Sequence, residues 1–230
     1  MIRIVSDVHG KSKLYRRLID GAPYSLQVGD LCEATYDMFG GLSPSSHRFF
    51  PGNHDNYNDL GSTGDFCLGD YGWWPMHHDE TGSAIRAFFV RGAESSDREF
   101  REHNVNWWSQ EELNKQSASR ALNMYKSIRP EIMFSHDCPL TIAIKMHSGN
   151  VSCSKTQKLL EQMFEVHQPK EWYFGHHHLD YDVELCGTYF RCIRAEGTED
   201  LPYTPLFNGG ILVKRSTKTK VAIRPLFKKE

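Results

Sequence analysis

Short apolar runs in this sequence repeatedly end on a residue able to hold a metal ion. Ile2 to Val5 leads into Ser6-Asp7, and Ser25 to Val28 into Gly29-Asp30. His47 to Phe50 leads into Pro51-Gly52-Asn53, Glu131 to Phe134 into Ser135-His136, and Glu171 to Phe174 into Gly175-His176. Runs of this length bounded by turn residues read as strands. Helical patterns alternate with them. Ser12 is placed to cap a helix through Asp20, which Gly21 stops. Ser109 to Ile128 has Glu111 and Glu112 near its start and Arg129-Pro130 at its end. Ser154 to Val166 carries Leu159, Leu160, Met163 and Phe164 on one stripe. In α/β sheets, ligands collect at the carboxyl ends of the strands, so these distant polar residues are expected to meet on one rim.

The remaining segments complete the α/β reading. Ile85 to Val90 is a further strand, ending at Arg91-Gly92. After Tyr181, alternating runs predict antiparallel strands over Tyr181 to Leu185, Tyr189 to Ile193, Ile211 to Lys214 and Val221 to Ile223. Residues 56–82, rich in Gly, Asp and aromatics, read as an irregular insertion over one face of a single domain spanning 1–230. A chain of 230 residues suffices for one large core.

The formal net charge of −2 argues against long duplex nucleic acid as a partner. No stretch is apolar enough to cross a bilayer, and Met1 to Ile4 leads into an acidic position without a secretory h-region. The six cysteines form no CxxC pair, so the expectation is reduced thiols in a cytoplasmic protein. Histidine is abundant, at 12 residues, and its placement carries the information.

Read in order, the strand ends spell Asp7-Val8-His9, Gly29-Asp30, Gly52-Asn53-His54-Asp55, His136 and Gly175-His176-His177-His178. Any one of these alone is an ordinary cap, turn or core histidine. The ordered set resembles the calcineurin-like metallophosphoesterase superfamily, marked by D-x-H, G-D, G-N-H-D/E, H and G-H-x-H in that sequence. A two-metal site needs several carboxylate and imidazole ligands and one group that touches both ions, for which Asp30 is the natural bridge. The resemblance implies that Asp7, His9 and His178 complete one site with Asp30, and that Asn53, His136 and His176 complete the other. It implies that His54 acts as general acid or stabilises the transferring phosphoryl group. Asp55 is expected to hydrogen-bond His54 and raise its pKa. His177 is the free position of G-H-x-H, and strand alternation turns it away from both neighbours.

The resemblance further implies a four-layer α/β/β/α sandwich of two mixed sheets. The expected reaction is hydrolysis of a phosphomonoester or phosphodiester by attack of a metal-bridging hydroxide, on a small phosphate ester or nucleotide. The expected cofactors are two divalent ions, manganese first, with iron, nickel, zinc or magnesium as alternatives. The rival readings are a nuclease or cyclic-nucleotide phosphodiesterase, and a non-catalytic scaffold of the same fold. Gly29-Asp30-Leu31-Cys32-Glu33-Ala34 lacks the arginine of the serine/threonine phosphatase motif, so that branch is the weaker match. Arg91-Gly92-Ala93-Glu94 through Asp97, with Arg101 and Trp107-Trp108, looks like a group of small bacterial and phage members. Arg91 and Arg101 are candidates for substrate phosphate, since guanidinium grips phosphate as a planar fork. Tyr71, Trp73, Trp74, Trp107 and Trp108 are either core aromatics or a stacking surface for a nucleobase.

Overall fold

The structure is a computed structural model and describes residues 1–32, 36–149, 151–206 and 212–213. Strands β1 (Ile2–Val5), β2 (Tyr24–Gln27) and β3 (His47–Phe49) run parallel, and β10 (Thr198–Leu201) pairs antiparallel with β1. They form one mixed sheet in the order β10-β1-β2-β3. The second sheet contains β4 (Tyr71–His78), β5 (Ala84–Val90), β6 (Ile132–Ser135), β7 (Glu171–Phe174), β8 (Tyr181–Leu185), β9 (Thr188–Cys192), β11 (Tyr203–Pro205) and β12 (Leu212–Val213). Its order is β11-β4-β5-β6-β7-β9-β8, with β12 also on β4. Strands β5, β6, β7 and β9 are mutually parallel, and antiparallel strands flank them on both sides.

Strand alternation divides the apolar residues among three interfaces, which makes four layers. Ile2, Ile4, Leu26, Val28, Ala87, Phe89, Ile132, Phe134 and Tyr173 pack between the two sheets. On the second sheet, Phe88, Val90, Met133, Trp172 and Phe174 point the other way. There they meet Ala121 and Tyr125 of α3 (Lys115–Ile128), Ile142 of α4 (Leu140–Met146), and Leu160 and Met163 of α5 (Lys155–Val166). The first sheet turns Val5 and Phe49 toward α1 (Ser12–Leu18), α2 (Tyr36–Phe39) and the 3-10 turns of Leu60–Phe66.

The boundaries depart from the sequence reading where side chains are claimed by distant partners. The helix expected from Ser109 begins only at Lys115, with Asn114 accepting from the Ser117 amide. Glu111 is held by Ser95, and Glu112 by the Thr156 amide, so neither is free to start a helix. Residues 56–82 are irregular only in part, because β4 occupies Tyr71–His78 and pairs along its length with β5. Tyr71 and Trp74 are buried there, and Trp73 packs on the helical side of the second sheet. Of the expected C-terminal strands, Val221 to Ile223 lies outside the described residues, as does most of Ile211 to Lys214.

Two serines chosen as caps behave differently. Ser154 accepts from the Gln157 amide, and Gln157 returns a bond to the Ser154 backbone, a complete capping box. Ser12 lies inside α1, behind Lys11, and α1 has no side-chain cap. Ser154→Ala is therefore expected to lower unfolding free energy by about 1 kcal/mol, and Ser12→Ala to leave it nearly unchanged. Urea denaturation of both variants measures the difference.

Candidate metal centre

The catalytic-looking rim is made of tight left-handed turns. Asp7, His9, Asp30, His176 and His178 all have φ between 45° and 67°. Non-glycine residues in that region are uncommon, and each costs of order about 1–3 kcal/mol unless its surroundings over-determine it. Five of the seven residues predicted as ligands are thus held in strained backbone. The turns leave no room for side chains on their neighbours: a Cβ at Gly52 would run into the Asp30 carboxylate and the His136 ring.

These turns bring together two clusters of donor atoms that share one carboxylate. Asp7, His9, Asp30 and His178 have ligating atoms within 4.8 Å of one another, and so do Asp30, His136 and His176. In the first cluster, His9 Nε2 lies 3.0 Å from His178 Nε2, and His178 Nε2 3.6 Å from Asp7 Oδ1. The His176 amide donates to both Asp7 oxygens, and Ser6 Oγ donates to Oδ2. In the second cluster, His136 Nε2 lies 3.3 Å from Asp30 Oδ1 and 3.0 Å from Asn53 Oδ1.

The surroundings fix which atom each residue offers. His136 Nδ1 donates to the Val28 carbonyl at 2.8 Å, which turns Nε2 toward Asp30. Asn53 Nδ2 donates to Ser95 Oγ at 3.1 Å, so its Oδ1 faces the cluster. Ser95 Oγ in turn donates to Glu111 Oε2 at 2.6 Å. The sequence marks Glu111 only as a helix start and Ser95 only as part of the run after Arg91, and assigns neither a role at the site. No periodicity or spacing marks a contact made across a loop, and their placement between Arg91 and Leu113 is the only hint.

The electrostatics show a site short of positive charge. Burial opposes ionisation of Asp30, yet His136 and His54 hold its carboxyl well below the usual range. Burial opposes a charged His136, but Asp30, with Asp7 behind it, raises its pKa to about 10. Asp30 Oδ2 is buried with no hydrogen-bond partner among the described residues. The proton on His136 thus stands where a cation would satisfy the same carboxylate. Apart from that displaceable proton on His136, carboxylates, imidazoles and an amide oxygen converge with no lysine or arginine among them, which is a donor set suited to divalent ions.

Three expectations change at this point. Asp55 does not reach His54: its carboxylate accepts from the Cys32 and Gly52 amides at 2.7 Å each, clamping two turns together. His54 is instead met by Arg101, whose two terminal nitrogens lie 3.0 and 2.9 Å from its ring nitrogens. Burial first, and then Arg101, lower the His54 pKa, against the upward shift expected from Asp55. Arg91 is buried and faces no substrate: it donates to Asp70, Tyr57 and the Gln110 carbonyl. The phosphate fork closed on it because Asp70 sits at the end of the neighbouring loop, a partner that the sequence does not reveal. Arg101 stays beside the clusters, tied to Asp97 at 2.7 Å.

Fold and site fit a metal-dependent phosphoric ester hydrolase, the class that the family match establishes. The calcineurin-like phosphoesterase family matches residues 1–180, and the chain belongs to that family. No curated protein sequence matches it. Solved structures with similar folds include a conserved, predicted phosphoesterase of Streptococcus pneumoniae TIGR4, at 12% identity and TM-score 0.39, covering 84% of this chain and 71% of that one. The phosphopantetheinyl hydrolase of Mycobacterium tuberculosis aligns at 12% identity and TM-score 0.46, over 90% and 96% of the two chains. A candidate 5′-nucleotidase from Staphylococcus aureus aligns at 10% identity and TM-score 0.49, over 96% of this chain but 55% of its own. Among the described residues, no helix is long and apolar enough to cross a membrane.

Two outcomes follow from the buried pair. His136 carries its proton at neutral pH, because its pKa is raised to about 10, and must lose it to ligate. Ion affinity at its cluster should therefore rise by about tenfold per pH unit between neutrality and that value. Calorimetric titration in buffers of different ionisation enthalpy reads the released proton. Ser95→Ala should weaken binding at the Asn53 cluster by about 10- to 100-fold by freeing the amide to turn. Affinity at the Asp7 cluster should change far less.

Proposed function

We propose that this chain is a dinuclear-metal phosphoesterase acting on a small phosphate ester. The observation that carries the reading is that two donor clusters, each suited to a divalent ion, meet on the single carboxylate of Asp30. Asp7, His9, Asp30 and His178 would hold one ion, and Asp30, Asn53, His136 and His176 the other. When bound, such ions supply an activated water and neutralise phosphoryl oxygens as Lewis acids. Manganese is the first choice for so oxygen- and imidazole-rich a set, with iron, nickel, zinc or magnesium as alternatives.

The remaining residues act on the substrate. His54 sits edge-on to His9, with ring centroids 5.1 Å apart, and its Nε2 lies 4.0 Å from Asp30 Oδ2. A ligand pair and a base or acid are therefore side by side. Neutral imidazole has one acceptor nitrogen, so in the free protein Arg101 satisfies it and keeps His54 uncharged. A phosphate arriving beside Arg101 draws the guanidinium into a planar fork. With the guanidinium on the phosphate, the freed ring nitrogen of His54 takes a proton from solvent and passes it to the leaving oxygen. Support for a small substrate comes from the absence of a basic bulk charge, at −2. The aromatic residues of 71–74 pack in the core, so they offer no stacking surface.

The test is a panel of phosphomonoesters and phosphodiesters assayed with Mn²⁺, Mg²⁺, Ni²⁺ and Fe²⁺ after removal of bound metal. Chelation should abolish turnover, and Asp30→Asn should weaken both ion sites in the same titration. Two unperturbed sites in that variant would exclude a bridging role. Arg101→Ala should lower kcat/KM by about 10- to 100-fold, as for a charged hydrogen bond to phosphate. His54→Ala, at saturating metal, should lose about 10²–10⁴-fold on alkyl esters and much less on nitrophenyl esters, whose leaving group needs no proton. An unchanged ratio between the two ester types would remove the acid role.

A further inference from the structure

A further cluster of ligating side chains, apart from the two that share Asp30, lies on the opposite side of the same strand ends. His177, between His176 and His178, turns away from the clusters already described. Its Nε2 lies 2.9 Å from Asp137 Oδ1 and 3.4 Å from Cys138 Sγ. On the other side of the ring, His177 Nδ1 lies 2.9 Å from His147 Nε2, at the end of α4. Asp137 and Cys138 directly follow His136 beyond β6, and both are buried. The three donor atoms lie within 4.8 Å of one another.

A carboxylate oxygen, a thiol sulfur and an imidazole nitrogen facing one another are a ligand set that a positive centre between them would satisfy. A proton on His177 Nε2 and the Cys138 amide, 2.7 Å away, satisfy one oxygen of Asp137, but the other, Oδ2, is buried with no partner among the described residues. This arrangement also leaves the sulfur as a bystander. A small cation satisfies all three. Around a tetrahedral ion with bonds of about 2.0–2.3 Å, neighbouring donors stand about 3.3–3.6 Å apart. The observed 3.4 Å between nitrogen and sulfur matches that spacing, and the 2.9 Å between nitrogen and oxygen is the hydrogen bond that an ion would open. His147 supplies the outer partner on the far ring nitrogen that metal-bound imidazoles characteristically have.

We propose that Asp137, Cys138 and His177 form a third cation site, separate from the two clusters that share Asp30. The ligand chemistry selects a borderline-soft ion of the Zn²⁺ type, because thiolate disfavours Mg²⁺, Ca²⁺ and Mn²⁺. Binding replaces the Cys138 S–H bond with an S–metal bond and releases that proton to solvent. The site ties the end of β6 to the turn after β7, the two places from which His136 and His176 project. Its role is structural, and it does not depend on whether the Asp30 clusters perform the proposed chemistry.

Co²⁺ loading tests it, because thiolate bound to Co²⁺ absorbs in the near ultraviolet whereas oxygen- and nitrogen-bound Co²⁺ does not. The protein is the full chain with exposed Cys153 and Cys186 replaced by serine. The expected result is a charge-transfer band that is lost in Cys138→Ser and in His177→Gln and kept in Cys32→Ser. Cys32 is the necessary control, since its sulfur lies 3.6 Å from His9 Nδ1. No band in the parent protein would overturn the proposal, whatever the variants do. So would a band that survives Cys138→Ser or disappears in Cys32→Ser. Folding of each variant is checked by far-ultraviolet circular dichroism. If Cys138→Ser does not fold, the parent spectrum and His177→Gln still decide the matter.

Discussion

The buried contact between Asp30 and His136 is the interaction on which the rest of the rim depends. Asp30 follows β2 in the first sheet, and His136 follows β6 in the second, so the pair crosses the seam between the sheets. The Val28 carbonyl holds the other nitrogen of the same imidazole, which doubles the crossing. A buried carboxylate cannot stay ionised without a partner, and removing either member of such a pair leaves an uncompensated charge. The sandwich therefore closes around this contact as much as around its apolar filling. An ion bound only by the closed form stabilises that form by mass action, so metal content and folding stability are linked quantities.

Around the pair, buried polar groups hold the loops that reach the rim. Asp55 clamps the turn at Gly52 to the turn at Cys32. Arg91 gathers Asp70, Tyr57 and the backbone before Glu111. Glu111 holds Ser95, which orients Asn53. Each of these residues looks catalytic by type, and each spends its charge on geometry. A site that must hold several donors to within fractions of an ångström needs such fixed supports, because a loop alone would leave them mobile.

What the sequence disclosed follows from this division. Strand ends were legible because a short apolar run closed by a turn residue is a local signal, and the order of polar residues after those runs is a string. Asp7, His9, Asp30, Asn53, His136, His176 and His178 stand next to one another for that reason. The partners of Asp55 and Arg91 were not legible, since both are chosen by loops that pack on one another only after folding. The start of α3 departs from its local signal because Glu111 and Glu112, good residues for a first turn, are drawn away to Ser95 and Thr156. Strand β4 was hidden by its own burial on both sides, which removes the alternation that would mark it. Alternation turns His177 away from His176 and His178, but it says nothing about what the ring points toward.

The positive φ values of Asp7, His9, Asp30, His176 and His178 have a consequence for descent. Glycine relaxes each of these positions, and every such replacement also deletes a donor atom. Folding and chemistry therefore pull in opposite directions at the same residues. In a lineage released from turnover, drift would favour glycine there, and the fold would grow more robust as the rim emptied.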